Sequence, residues 1–225
     1  MENSSISKTK KLVLHGVFAA LAYVIMVFMR IPLMPAAPFL NYDAKDVIIC
    51  IASFILGPIS GLIITLVVAL IEMVTVSSTG PIGMLMNFLS SCSFVVPAAV
   101  IYRSKKSMGS AIGGLVAGVA AMCGVMVLWN YLITPIYQGM PREAIVPMLP
   151  TIFLPFNAIK GGINMGVTLI LYKPIVTILR KAGFVEPLKV TEDGGKRKFS
   201  AGPIILGAFI LATCIVVVLV LKGVI

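Results

Sequence analysis

The chain has 225 residues, 59% of them hydrophobic and only 12% charged, with a formal net charge of +10. Its mean hydropathy is +1.07, whereas soluble domains are about 45–50% apolar and about 25% charged. A water-soluble fold could not hide that much apolar surface, and the apolar runs are continuous where the strands of a transmembrane barrel would alternate, so the chain reads as an all-α integral membrane protein.

The first apolar run, about 11–30, follows Lys8, Lys10 and Lys11 as in a signal peptide. It has no clear small-residue cleavage site before Arg30 and is read as the first membrane helix. Pro32, Pro35 and Pro38 make 31–45 a loop. Residues 47–77 are too long for one span, and Gly57-Pro58 divides them into a short second helix, 47–56, and a third, 59–76. The second helix is short enough to be tilted or partly re-entrant, which requires protein around it. A fourth helix covers 82–102 and a fifth 110–133. A loop with Pro135, Pro141, Pro147 and Pro150 precedes the sixth, 152–179. A polar stretch with Glu192, Asp193 and Lys196-Arg197-Lys198 then leads to a seventh, 204–221. The expected organisation is a six-helix binding domain (1–182), a cytoplasmic linker (183–202) and an additional C-terminal transmembrane helix (203–225). That last helix is Val/Ile/Leu-rich and reads as peripheral to the functional bundle.

The positive charge fits membrane topology better than nucleic acid, because basic residues flank the apolar segments. One set of flanks holds Lys8, Lys10, Lys11, Arg103, Lys105, Lys106, Arg180, Lys181, Lys189, Lys196, Arg197 and Lys198; the other holds Arg30, Lys45, Arg142 and Lys222. The asymmetry puts the N-terminus in the cytoplasm and the loops 31–46, 77–81 and 134–151 outside, in a multi-pass protein of the cell membrane. Cys50, Cys92, Cys123 and Cys214 all lie in apolar runs without a CxxC pair, so no metal site is expected.

Polar residues inside a membrane are costly and usually face a cavity or a partner. Here Glu72, Asn87, Asn130, Asn157, Lys160 and Asn164, with Asp43 and Asp46 just before the second helix, all fall in the outer half. Asn157, Lys160 and Asn164 are spaced by three and four, so they share one helix face. Gly161 and Gly162 permit a close approach beside them, and 77–81 offers hydroxyls and free N–H groups. Phe39, Tyr42, Met84, Met86, Phe88, Trp129, Tyr131, Tyr137, Phe153 and Phe156 surround this level, as apolar walls surround small-molecule sites. Other readings stand beside this one. Lys160 can snorkel to the interface, the asparagines can join helices, Glu72 can pair with a loop base, and Asn157 can cap or position its helix.

The chain has no GxxxxGK[ST], HExxH or GxSxG motif, no metal-ligand cluster and no clear internal repeat. It can bind a solute but carries no energy source of its own, so a partner is expected. Gly16, Ala19 and Ala20 form a small-residue patch where a partner helix could dock, as do Gly113, Gly114, Ala117 and Gly118; packing within the bundle is the other reading.

Five ordered stretches complete the sequence reading: 39–46 (Phe39-Leu40-Asn41-Tyr42-Asp43-Ala44-Lys45-Asp46), Gly57-Pro58-x-x-Gly61, 79–88 from Thr79-Gly80-Pro81 to Asn87-Phe88, Asn130-Tyr131-x-x-Thr134-Pro135-x-Tyr137, and Leu154-Pro155-Phe156-Asn157-x-x-Lys160-Gly161-x-x-Asn164. Together they resemble the substrate-binding S components of energy-coupling factor (ECF) vitamin importers, specifically the riboflavin-binding ones, over about 10–182. The resemblance implies an S-component-like six-helix bundle and a flavin as transported substrate, with no cofactor and no enzymatic activity. It implies binding by Leu40, Asn41, Tyr42, Asp43, Thr79, Gly80, Met84, Asn87, Asn130, Tyr131, Lys160 and Asn164. Asn130, Lys160 and Asn164 would meet the polar edge of the ring, Leu40 and Met84 its faces, and Asn41, Asp43, Thr79 and Asn87 the ribityl hydroxyls. It also implies a transmembrane T component and two cytoplasmic ATPases, with high-affinity capture at the outer face. The seventh helix departs from the family pattern. A stand-alone secondary transporter of a small aromatic solute is the alternative.

Overall fold

The computed structural model describes residues 7–35, 37, 40–77, 79–184 and 201–224. Phe39, Ser78 and most of the expected linker (185–200) lie outside them. Nine α-helices occur among the described residues: α1 (Lys8–Phe28), α2 (Lys45–Leu56), α3 (Pro58–Thr75), α4 (Gly80–Lys105), α5 (Met108–Leu132), the short α6 (Thr134–Gln138) and α7 (Arg142–Ile145), α8 (Leu154–Lys181) and α9 (Gly202–Leu221). α1, α3, α4, α5, the run from α7 through α8, and α9 are long and apolar enough to cross a membrane.

Local chemistry sets the boundaries. Ser7 caps α1 by accepting from the Lys10 N–H at 3.3 Å. Ser107 and Ser110 form a reciprocal capping box at the start of α5. Between α2 and α3 the chain turns at Gly57, whose φ of +102° favours glycine, and Pro58 occupies the first turn of α3, where a missing N–H costs little. The prolines of 134–151 act in the same way. They start α6 and a π-helical turn, Leu149–Phe153, that runs into α8, so most of the expected loop is helical.

α2 has 12 residues, about 18 Å at 1.5 Å per residue, against a hydrocarbon core of about 30 Å. Lys45 to Phe54 are all buried, so protein surrounds it as a short membrane helix requires. It begins two residues before the expected Val47, which brings Asp46 into its first turn, where a carboxylate complements the helix dipole.

Glycine sets the closest approaches. A Cβ on Gly114 would lie 2.6 Å from the Ala98 carbonyl oxygen, and one on Gly118 would lie 2.3 Å from that of Phe94. These residues of the α5 patch therefore serve α4–α5 packing. Gly16 is open on its exposed side, with nothing within 4 Å of a Cβ, and Ala20 is exposed beside it. Ala19 is a correction to the docking patch: it is only 6% exposed and belongs to the core, because it lies about 100° around the helix from Ala20.

The bundle has two unlike ends. At one, the Lys10 ammonium donates to the Gly183 carbonyl at 3.4 Å, joining the start of α1 to the end of α8. The Tyr102 and Tyr172 hydroxyls bond there, beside the basic last turns of α4 and α8. At the other end, Ile31–Pro32 and Asn41–Tyr42 pair as a short antiparallel ladder that closes loop 31–44. Gly118→Ala should lower the melting temperature by the equivalent of about 1–3 kcal/mol of overpacking. Gly113→Ala, which meets nothing within 4 Å, should not lower it. Thermal unfolding in detergent compares the two.

Candidate functional site

The loop end holds a cluster of buried charge. Glu72 lies in the last turn of α3 and Lys45 in the first turn of α2, and both are nearly inaccessible. Lys45 Nζ meets Glu72 Oε2 at 2.7 Å and Asp43 Oδ2 at 3.5 Å. Arg30, just past α1, donates to Glu72 Oε1 at 2.9 Å, and Asn87 Nδ2 donates to the same oxygen at 2.9 Å. From α8, Lys160 Nζ lies 3.4 Å from Asp43 Oδ2 and 3.7 Å from Asp46 Oδ2. Ser91 and Asn164 both donate to Asp46. Three carboxylates face three cations, so the formal charges of the cluster balance, which offsets part of their desolvation. Burial alone would raise the Asp43 carboxyl, but the Lys160 and Lys45 ammonium groups outweigh it and hold Asp43 below the usual carboxylate range.

A cavity of about 110 Å³ opens beside this cluster, several times the space one water needs. Loop residues Leu40, Asn41 and Asp43 form one wall, with Arg30 and Glu72 next to them. Ser77, Thr79, Met86, Asn87 and Ser90 form the wall on the α3–α4 side. Met126 and Asn130 of α5 and Phe156, Asn157 and Lys160 of α8 close the remainder. Two of the amides are held by their own helices. Asn130 Nδ2 donates to Met126 O at 2.6 Å and Oδ1 accepts from Thr134 at 2.8 Å; Asn157 Nδ2 donates to Phe153 O at 2.7 Å. Asp43 Oδ1 is buried and has no hydrogen-bond partner among the described residues. A buried acceptor left open in this way is costly unless something else fills it.

Seven of the expected binding residues line the cavity: Leu40, Asn41, Asp43, Thr79, Asn87, Asn130 and Lys160. Five do not. Asn164 shares a helix face with Lys160 but sits one turn deeper, where it is fully buried against Asp46. Tyr42 points from the back of its loop into a second apolar cluster with Phe156 and Ile159. Tyr131, next to Asn130 on the helix and thus about 100° away, is 40% exposed with the Arg142 guanidinium 5.7 Å from its ring centre. Met84 is half-buried off the cavity, and Gly80 serves the turn into α4 with a φ of +58°.

Asn157, for which capping or positioning its helix is one reading, donates back to Phe153 O and also lines the cavity one turn before Lys160. Met86 and Phe156 are among the apolar residues expected around this level, and both line the cavity; Ser90 and Met126 line it too and were not expected. Ser90 lies three residues from Asn87 and Met126 four from Asn130, so a step of one helical turn from those two polar residues finds both. Glu72 follows the pairing reading, with one cation from the end of α1 and one from α2.

Comparison with known proteins matches residues 10–176 to the family described as "ECF transporter, substrate-specific component". The chain is 30% identical over 183 residues to the riboflavin transporter RibU of Staphylococcus aureus, an alignment covering 79% of this chain and 96% of that one. It is 29% identical over 163 residues to the riboflavin transporter FmnP of Bacillus subtilis, covering 68% and 85%. A solved structure of the S component of a bacterial ECF transporter superposes with a TM-score of 0.66 at 32% identity, covering 77% of this chain and 99% of that one. The chain is therefore an integral membrane protein of the ECF transporter substrate-specific component family, with an S-component bundle followed by one additional helix, α9.

Proposed function

We propose that this S component binds riboflavin, with high affinity, in the cavity at the loop end of its bundle. It then works with a transmembrane T component and two cytoplasmic ATPases that supply the energy. The cavity carries this reading: a pocket of mixed apolar walls and fixed polar groups, in a chain whose relatives are riboflavin transporters. The absence of a P-loop from the sequence supports ATP hydrolysis by separate subunits. The basic residues at the opposite end support a cytoplasmic N-terminus and an outward-facing cavity.

The lining fits the ligand's chemistry. Leu40, Met86, Met126 and Phe156 offer apolar surface to the faces of an isoalloxazine ring. Asn130, Asn157 and Lys160 offer donors and acceptors to its edge of carbonyls and nitrogens. Asn41, Asp43, Thr79 and Asn87 serve the ribityl hydroxyls, with the open Asp43 Oδ1 as an acceptor for one of them. Asn164 acts one step away, by holding the Asp46 carboxylate that faces Lys160.

Purified protein should quench riboflavin fluorescence with a stoichiometry near one. Ligand at about 100 times its dissociation constant should stabilise the fold by roughly 2.7 kcal/mol. A titration with neither quenching nor a thermal shift would remove the substrate assignment. Asn157→Ala and Asn130→Ala should each weaken binding by about 1–3 kcal/mol, roughly 5- to 150-fold. Lys160→Met keeps the apolar stem and should also weaken it; parental affinity in that variant would mean that Lys160 does not touch the flavin.

Gly16→Leu and Ala20→Leu place bulk on the open side of α1 and should spare riboflavin binding while reducing ATP-dependent uptake in cells. Equal loss of binding and uptake would assign the patch to internal packing.

A further inference from the structure

α9 lies beyond the residues matched to the family, 10–176, and has no polar side chain in the cavity. It packs antiparallel on α8 along a narrow seam. A Cβ on Gly166 would lie 2.8 Å from the Gly207 carbonyl oxygen, and one on Gly207 would lie 2.6 Å from that of Gly166. One turn toward the loop end, a Cβ on Gly162 would lie 2.7 Å from Cys214 Sγ. Most of α9 outside this seam is exposed, and only Pro203 and Gly207 are fully buried. The seam continues to the loop end. Leu211, Cys214 and Val218, at helical spacing, pack against an apolar cluster in which loop residues Leu33, Met34, Ala37, Leu40 and Tyr42 join Phe156, Ile159 and Ile163 of α8. Two members of this cluster, Leu40 and Phe156, also line the cavity. Burial raises the Tyr42 hydroxyl, and Asp43, Asp46 and Cys214 add to the effect, consistent with α9 lying close behind the loop.

Leu40, Asn41 and Asp43 of the loop thus line the cavity, while Leu33, Met34, Ala37, Leu40 and Tyr42 lie in an apolar cluster against which α9 packs, together with Ile25 of α1 and Met148, Leu149 and Ile152 before α8. Leu40, Asn41 and Asp43 form one wall of the cavity, so a displacement of the loop alters that wall and also disturbs the apolar cluster behind it. We propose that α9 is a brace behind the cavity loop, set by the Gly166–Gly207 seam, and that it slows the exchange of ligand at the site. The proposal rests on the riboflavin reading above. A brace acts on the frequency of loop opening, so it changes association and dissociation together and affinity much less. A lost ligand contact would instead appear mainly in dissociation.

The test uses the full chain in nanodiscs and measures riboflavin association and release by the change in flavin fluorescence. Gly207→Val forces α9 away from α8 without changing a cavity residue. Both rates should rise, on the order of tenfold, the factor that corresponds to 1.4 kcal/mol. Gly162→Cys gives the opposite arm, because its side chain would lie within bonding reach of Cys214. Once oxidation to the 162–214 disulfide is confirmed by thiol counting, exchange should be slower than in the same protein after reduction. Parental rates in Gly207→Val, or a fall in affinity carried by dissociation alone, would overturn the brace. So would equal rates in the oxidised and reduced Gly162→Cys protein. If the parent chain itself bound no riboflavin, the substrate reading would fail instead, and the two failures are distinguishable.

Discussion

The ion cluster at the loop end is the interaction on which the rest of the site depends. Asp43, Asp46 and Glu72 are at most 5% exposed, and Lys45 and Lys160 are as deeply buried. A carboxylate or ammonium moved out of water costs several kcal/mol, and removing one member of a buried pair costs about 3–5 kcal/mol because its partner is stranded. The pairing therefore constrains several elements at once. Glu72 ties α3 to the end of α1 and the start of α2, and Lys160 ties α8 to the loop through Asp43 and to α2 through Asp46. Ser91 and Asn87 add α4 through Asp46 and Glu72. Among the described residues, α5 lines the cavity with neither an ion pair nor a hydrogen bond to this cluster; its Asn130 is held by its own helix and by Thr134.

Such a cluster needs the helices close together and held in register, which the opposite end and the middle of the bundle provide. Gly114 and Gly118 bring α5 against the α4 backbone, and Gly61 accepts the Ser53 side chain of α2 against α3. In a lipid environment, where apolar burial between helices gives little net drive, close backbone packing of this kind carries much of the association. The short α2 is possible for the same reason. Its polar N-terminus would be intolerable in lipid, but the ion cluster takes its charges and the surrounding helices cover its apolar faces.

The fold was largely legible because hydrophobic runs and prolines are local signals. The Gly57-Pro58 break, the short second helix and the peripheral seventh helix all follow from them. The region 134–151 was harder: its prolines read as loop, but each sits at or near the start of a helical turn, where proline is tolerated. The site was legible at the level of its half of the membrane and less so residue by residue. Periodicity put Asn157, Lys160 and Asn164 on one face, but a shared face leaves depth undetermined. Depth is set by α2, whose Asp46 captures Asn164 and leaves Asn157 beside the cavity. Neither is visible from α8 alone. The pairing of Asp43 and Asp46 with Lys160 joins residues more than a hundred positions apart, and no local pattern in the sequence reports it.

The balance of the cluster also sets a condition on the ligand. Three carboxylates already face three cations, and Arg30 is the one cation with appreciable access to solvent, its side chain 35% exposed. A neutral ligand can take the open Asp43 oxygen and the amide groups without disturbing that balance. An ionised one would bring a charge for which the cluster, among the described residues, holds no unpaired partner, close to carboxylates if it were an anion, and would meet a large desolvation cost. The same arrangement that joins these elements around the cavity thus favours solutes recognised by hydrogen bonds and apolar contact over solutes recognised by charge. Riboflavin, uncharged and carrying its polarity in hydroxyls, carbonyls and ring nitrogens, meets that condition.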